Sequence, residues 1–161
     1  MVLASLNSAR KKAIDARRLS DLDELNKAFQ LYASDNNGNY PPIGAPATKC
    51  IGVKTGTTCW GDRNMPGDSS LLSALSPYIS LLPTDPLPSR GWGDRYLYLD
   101  GSTWSIGCGG GSFLPGKYIL WRPNTPPQTA GCLGKGFFSC CGSGGAPCGN
   151  NGGYYCAFKI D

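Results

Sequence analysis

The stretch VLASLNSARKKAIDARRLSDLDELNKAFQLYASDNNGNYPP, Val2 to Pro42, decides the fold of this chain. Its apolar positions Leu3, Leu6, Ala9, Ala13, Ala16, Leu22, Leu25, Phe29 and Tyr32 recur mostly at steps of three and four, which predicts one face of a long α-helix. The residues between them are Arg, Lys, Asp, Glu, Gln and Asn, mostly good helix formers. Asp35-Asn36-Asn37-Gly38-Asn39-Tyr40-Pro41-Pro42 predicts where the helix stops. Glycine supplies a left-handed residue there, and the two prolines block continuation. A helix of some 30 residues spans roughly 45 Å, longer than a small head is wide. Its first half is therefore expected to lack a partner in the same molecule. There Ala4, Ala9, Ala13 and Ala16 are small and permit close helix–helix approach, and Leu3, Leu6, Ala9, Ala13 and Ala16 are the expected assembly positions. The second half, from Leu19, carries the large residues Leu22, Leu25, Phe29 and Tyr32, expected to pack on the remainder of the chain.

That remainder, residues 43–161, differs in composition. The chain has 23 Gly, 13 Pro and 8 Cys in 161 residues, and most of them follow the helix. Such a segment implies much turn and little helix. The length suits one domain with a modest core, here a stalk (1–42) feeding a globular head (43–161). Charge is concentrated in the stalk. Before Tyr32 lie six of the fifteen basic and four of the eleven acidic residues. Arg10, Lys11, Lys12, Arg17 and Arg18 interleave there with Asp15, Asp21, Asp23 and Glu24, as on a salt-bridged solvated face. The net charge of +4 is a weak argument for a nucleic-acid partner.

The eight cysteines, Cys50, Cys59, Cys108, Cys132, Cys140, Cys141, Cys148 and Cys156, form an even set in a loop-rich region and predict four disulfides made in an oxidising compartment. About a hundred pairings are open to eight cysteines, so connectivity stays undetermined. A short loop closed by Cys50 and Cys59 is the best single expectation. No Cys-x2-Cys spacing occurs and histidine is absent, which argues against a structural metal. The lack of histidine also removes the commonest general base, and with few carboxylates no enzyme activity, catalytic residue, metal or cofactor is expected. No stretch of about 18 apolar residues is present, and the opening residues are too short and polar for a signal peptide.

Along the head, residues 43–68 read as loop. Ser69-Ser70 is expected to cap a short helix, Leu71 to Ile79, that buries Leu71, Leu72, Leu75 and Ile79. Leu82-Pro83-Thr84-Asp85-Pro86 reads as a rigid turn. Alternation predicts a strand over Trp92 to Gly101, a turn at Asp100-Gly101 and a second strand over Thr103 to Ile106. Lys117 to Trp121 and Tyr154 to Ile160 are two further strand candidates. Residues 123–153 read as loop held by Cys132, Cys140, Cys141 and Cys148.

Leu3 to Arg18, with its Ala-Arg-x-x-Ala-x-Asp-Ala-x-Arg pattern, resembles the region following the membrane segment of bacterial type IV pilin-like and type II secretion pseudopilin-like proteins. Asp21-Leu22, Leu25 and Ala28-Phe29-Gln30-Leu31-Tyr32 resemble the central helix of that family, and Asp35 to Pro41 resembles the motif that ends it. Leu82-Pro83-Thr84-Asp85-Pro86 and Trp92-Gly93-Asp94-Arg95-Tyr96-Leu97-Tyr98 resemble its later elements, in the same order, separated here by Leu87 to Gly91. The resemblance covers about the first hundred residues. It implies an α+β pilin-like fold, with the long N-terminal helix packed on a small antiparallel sheet and a disulfide-rich C-terminal loop region. It further implies a subunit that is membrane-anchored before assembly, and then polymerises through its helix into an extracellular filament with itself and other pilins, served by inner-membrane assembly machinery. Two departures stand out. The apolar first segment of the family is not seen ahead of Met1-Val2, as in a truncated soluble version or one with a misplaced start. No Asp or Glu lies between Asp100 and Asp161, so the calcium site of the major pseudopilins has no carboxylates here.

Rival functions rest on single features. The basic cluster from Arg10 to Arg18 suits anionic lipid headgroups or DNA, but also a charged face between packed subunits. Asp85, Asp94 and Asp100 suit turn caps better than a carboxylate pair or metal site. Trp60, Trp92, Trp104, Trp121, Tyr154 and Tyr155 suit a core beside the cystines, with a glycan- or surface-binding patch of a minor pilin or adhesin as the alternative.

Overall fold

The computed structural model describes residues 2–44, 48–59, 65–86, 96–100, 116–121, 137–140 and 154–161. The chain is α+β: a long N-terminal helix lies on a small antiparallel sheet. Helix α1 runs Val2–Asp35, about 50 Å. It ends as the sequence dictates. Asn37 (φ 57°) and Gly38 (φ 82°) both turn left-handed, and the Gly38 N–H reaches back 2.7 Å to the Ala33 carbonyl. The Asn36 side chain donates to the Tyr32 carbonyl at 2.8 Å, satisfying another acceptor of the last turn. The chain leaving the helix is then pinned to the sheet, with the Tyr40 hydroxyl donating to the Ile160 carbonyl and the Tyr98 hydroxyl to that of Pro41.

Strands β1 (Thr48–Cys50), β2 (Thr58–Cys59) and β3 (Met65–Pro66) precede helix α2 (Ser69–Leu75). Strands β4 (Leu97–Asp100), β5 (Lys117–Trp121), β6 (Phe137–Cys140) and β7 (Tyr154–Lys159) follow. The main sheet has the order β1-β4-β5-β7-β6, antiparallel throughout, and β2 pairs with β3 in a separate ribbon. Register is set by Cys50 opposite Leu97, Leu97 opposite Leu120 and Leu120 opposite Ala157.

Strand alternation divides the core in two. Tyr96, Tyr98, Ile119, Trp121 and Ile160 join Leu22, Leu25, Ala28 and Phe29 of α1, with Leu71, Leu75 and Ile79 from the α2 region. The Phe29 and Tyr98 rings sit 4.7 Å apart, centroid to centroid. Leu97, Leu99, Tyr118, Leu120 and Ala157 form the opposite layer with Cys50, Val53 and Cys59. With both faces covered, β4 and β5 read as continuous apolar runs rather than clean alternation.

Four expectations are corrected. Residues 43–68 are not simply loop, because β1, β2 and β3 lie there. Strands of two or three residues are too short to leave a periodic signal. Residues 123–153 likewise contain β6, where Phe137-Phe138 adds an edge to β7. The short helix is capped by Asp68, whose carboxylate accepts from the Ser70 and Leu71 amides, while Ser69 exchanges hydrogen bonds with Thr55. That helix also stops at Leu75, short of Ile79. Pro77 has no N–H to give, and the Ser76 hydroxyl donates to the Ser73 carbonyl instead. The strand expected over Trp92 to Gly101 occupies Leu97–Asp100 of the described residues. Trp92 to Arg95, Gly101 and the second strand over Thr103 to Ile106 lie outside them. Cys50 and Cys59 are disulfide-bonded, with Cα atoms 6.2 Å apart, tying β1 to β2.

Candidate functional site

Helix α1 carries two faces. At about 100° per residue, Asp15, Arg18, Leu22, Leu25 and Phe29 fall within roughly 80° of one another, and this is the face the head covers. Leu6, Ala9, Ala13, Ala16 and Leu31 cluster on the roughly opposite side, and all five are exposed. Leu6 keeps 65 % and Leu31 52 % of its surface. Between Ala16 and Leu31 this outer stripe carries Ser20, Glu24 and Lys27. The expected single apolar face is thereby corrected. The step from Ala16 to Leu22 is six residues, which carries the pattern from one side of the helix to the other.

Contact with the head also begins earlier than Leu19. Ile14 is half-buried and Asp15 fully buried, so residues 3–13, exposed at every position whose side chain is described, project some 15–20 Å beyond the first head-packed residue. Leu3 at 78 % exposure stands near the tip. Toward the other end, Leu22, Leu25 and Phe29 are fully buried, while Tyr32 is half-buried with its ring edge-on to Tyr78 at 6.0 Å. The Tyr78 hydroxyl donates to Asp35 at 2.9 Å.

The upper edge of the contact is polar. Arg18 presents Nε and Nη2 to the two oxygens of Asp85, each at 2.7 Å, and Nη1 to Asp15 at 3.0 Å. Both side chains of the Arg18–Asp85 pair are nearly inaccessible. Burial alone lowers the pKa of the Arg18 guanidinium, but hydrogen bonding and attraction from Asp85, then Asp15, outweigh it and hold the group above its ordinary value. One turn further on, Asp21 accepts from the Tyr96 hydroxyl at 2.7 Å and from Arg17 at 3.1 Å. Burial, then the bond to Asp21, pushes Tyr96 far above the ordinary tyrosine range. Fork-to-fork pairing of guanidinium and carboxylate is directional. It fixes the rotation of α1 about its axis and so keeps the alanine stripe facing away from the head.

Two charge assignments change accordingly. Asp85 does more than shape a turn, since its carboxylate is buried against the stalk. The stalk charges are not one solvated face, since Asp15, Arg18 and Asp21 are buried. These residues and Tyr96 were not singled out by sequence as packing groups. The signal was available in the 3-4-3-4 line that runs back from Phe29 through Leu25, Leu22 and Arg18 to Asp15.

The remaining nominated residues are placed as follows. Cys140 lies in β6 and Cys156 in β7, whereas Cys108, Cys132, Cys141 and Cys148 lie outside the described residues. Trp121 is buried in the core, Tyr154 and Tyr155 lie in β7, and Trp60, Trp92 and Trp104 fall outside the described residues, as does Asp94. Asp100 pairs with Lys117 across β4 and β5. Among the described residues no group of three His, Cys, Asp or Glu is placed to hold a metal ion, and no helix is long and apolar enough to cross a membrane. Comparison with family models, curated proteins and solved structures finds no match.

Proposed function

We propose that this chain is a structural subunit of a type IV pilus-like or pseudopilus filament, built on a pilin-like fold and polymerising through α1. The observation that carries the reading is the two-faced stalk. One face is locked to the head by Phe29, Leu25, Leu22 and the Arg18–Asp85 pair, and the other offers Leu6, Ala9, Ala13 and Ala16 to a neighbour. Small side chains bring helix backbones close, and a helix too long for its own head has length to share. The ordered sequence elements support the same reading. Leu82 to Pro86 and the Tyr96 to Tyr98 segment supply the partners, Asp85 and Tyr96, that hold α1 in place. On this reading the subunit acts by assembly rather than catalysis. Its head, stiffened by disulfides, is displayed outside the cell after release from a membrane-anchored precursor.

Filaments sheared from the surface of the source cell provide the test. Antibody against the head is expected to decorate them, and Ala13→Glu with Ala16→Glu is expected to abolish them while the subunit still folds. Wild-type levels of filament in the double variant, or no filament containing this chain, would overturn the proposal.

A further inference from the structure

We infer that the free arm of α1, residues 3–13, with the exposed Arg17 beside it, is a docking surface for the anionic headgroups of a lipid bilayer. Arg10, Lys11 and Lys12 lie within about 3 Å along the helix axis and point in directions about 100° apart, so positive charge rings the arm. All three are exposed, and none has a carboxylate partner among the described residues. In sequence Asp15 and Asp21 follow them closely, yet the fold turns both carboxylates inward, toward Arg18 and Tyr96. Arg17 reaches Asp21 but is still 67 % exposed. The arm and Arg17 therefore present four exposed cations, while the carboxylates before Glu24 are buried at Asp15 and Asp21 and half-buried at Asp23. Beyond the cations, Leu3 and Leu6 extend bare apolar side chains. A partner that satisfies both layers is negative at its surface and apolar just beneath, which is the profile of an anionic bilayer interface. The phosphates of a nucleic acid would meet the cations and leave Leu3 and Leu6 in water. The inference concerns the single subunit and does not rest on polymerisation.

Vesicle co-sedimentation of the 161-residue chain tests it, using phosphatidylcholine with and without phosphatidylglycerol at low and high salt. Binding is expected only with phosphatidylglycerol and is expected to be lost at high salt. It should weaken about five-fold for each of Arg10, Lys11 and Lys12 replaced by Gln. The charge-matched variant K27Q/K54Q/K159Q should bind as wild type, and L3S/L6S should bind less well. Circular dichroism checks that every variant keeps its helix. Equal binding to neutral vesicles, or an unchanged affinity in R10Q/K11Q/K12Q, would overturn the inference. So would tighter binding to a duplex oligonucleotide that L3S/L6S leaves unaltered.

Discussion

The two ends of α1 are written in a similar alphabet and put to opposite uses. From Ile14 to Asp35 the head takes up the large apolar side chains and also the charges Asp15, Arg18 and Asp21. From Leu3 to Ala13 every side chain that is described is exposed, its cations and leucines included. A charged residue on a helix is thus not a surface residue by default. Its place depends on whether the fold brings a partner to the same spot. Arg18 meets Asp85, sixty-seven residues away in sequence, while Arg10 and Lys12 meet no carboxylate among the described residues. Burying a guanidinium is tolerable only with such a partner.

The largest effects should fall on the covered end. Phe29→Ala removes a buried ring tilted against that of Tyr98 and is expected to cost about 3–5 kcal/mol of stability, with Leu22→Ala at about 2–5 kcal/mol. Denaturant titration reads both, and changes under about half a kcal/mol would mean that α1 does not pack on the sheet as described. Asp85→Ala leaves Arg18 buried without its main counter-charge and should cost about 3–5 kcal/mol. Hydrogen exchange sharpens this case. Amides near Asp15 to Asp21 should lose protection beyond any loss shared with β4 and β5, because the pair holds the upper contact. Equal loss everywhere would make Asp85 a general core residue rather than a clasp on the stalk.

How much of this was legible beforehand follows from sequence distance. The helix stop at Asn37-Gly38, the 3-4 spacing of Leu22, Leu25 and Phe29, and the short Cys50–Cys59 loop are local patterns, each visible in a window of ten residues. The change in composition after Pro42 announced a turn-rich remainder, whereas the α+β class was expected from the ordered resemblance of the sequence elements. The Arg18–Asp85 and Asp21–Tyr96 contacts have no local signature, because nothing near Asp85 distinguishes a turn carboxylate from one buried against a distant helix. β1, β2 and β3 were hidden for a different reason. They hold two or three residues each, and Thr48–Cys50 becomes a strand only because Leu97–Leu99 lies beside it. The two-faced stalk was available in outline but obscured, since summing apolar positions along one helix hides a jump of six residues.

Intermediate effects come from the cystine and from the buried tyrosine. Replacing Cys50 and Cys59 together by Ser frees a loop of about ten residues and should cost about 2–3 kcal/mol, read by thermal melting of the oxidised proteins. Tyr96 tests the polar edge through pH. Its folded pKa is raised, so its contribution is complete below the unfolded value near 10 and is lost as pH climbs past it. Stability above about pH 10 should fall by up to about 1.4 kcal/mol per pH unit on its account. Tyr96→Phe should flatten that slope, and an unchanged slope would remove Tyr96 from the anchor.

The smallest effect is the most discriminating. Ala13→Glu and Ala16→Glu alter exposed positions on the outer stripe and should shift the stability of the folded chain by no more than about half a kcal/mol. If the stripe is spare surface, nothing else changes either. If it is the face a neighbour uses, the same substitutions remove assembly completely, because a carboxylate cannot enter a contact that alanine made close. Arg18 sets the complementary control. Arg18→Met with Asp85→Leu replaces the ion pair by apolar groups of comparable size, a change often neutral or stabilising where burial is complete. Should that double variant stay stable yet fail to assemble, the pair is needed to aim the stripe outward and not to hold the fold. Should it assemble normally, apolar packing alone sets the rotation of α1, and the directional bond between Arg18 and Asp85 is dispensable to it.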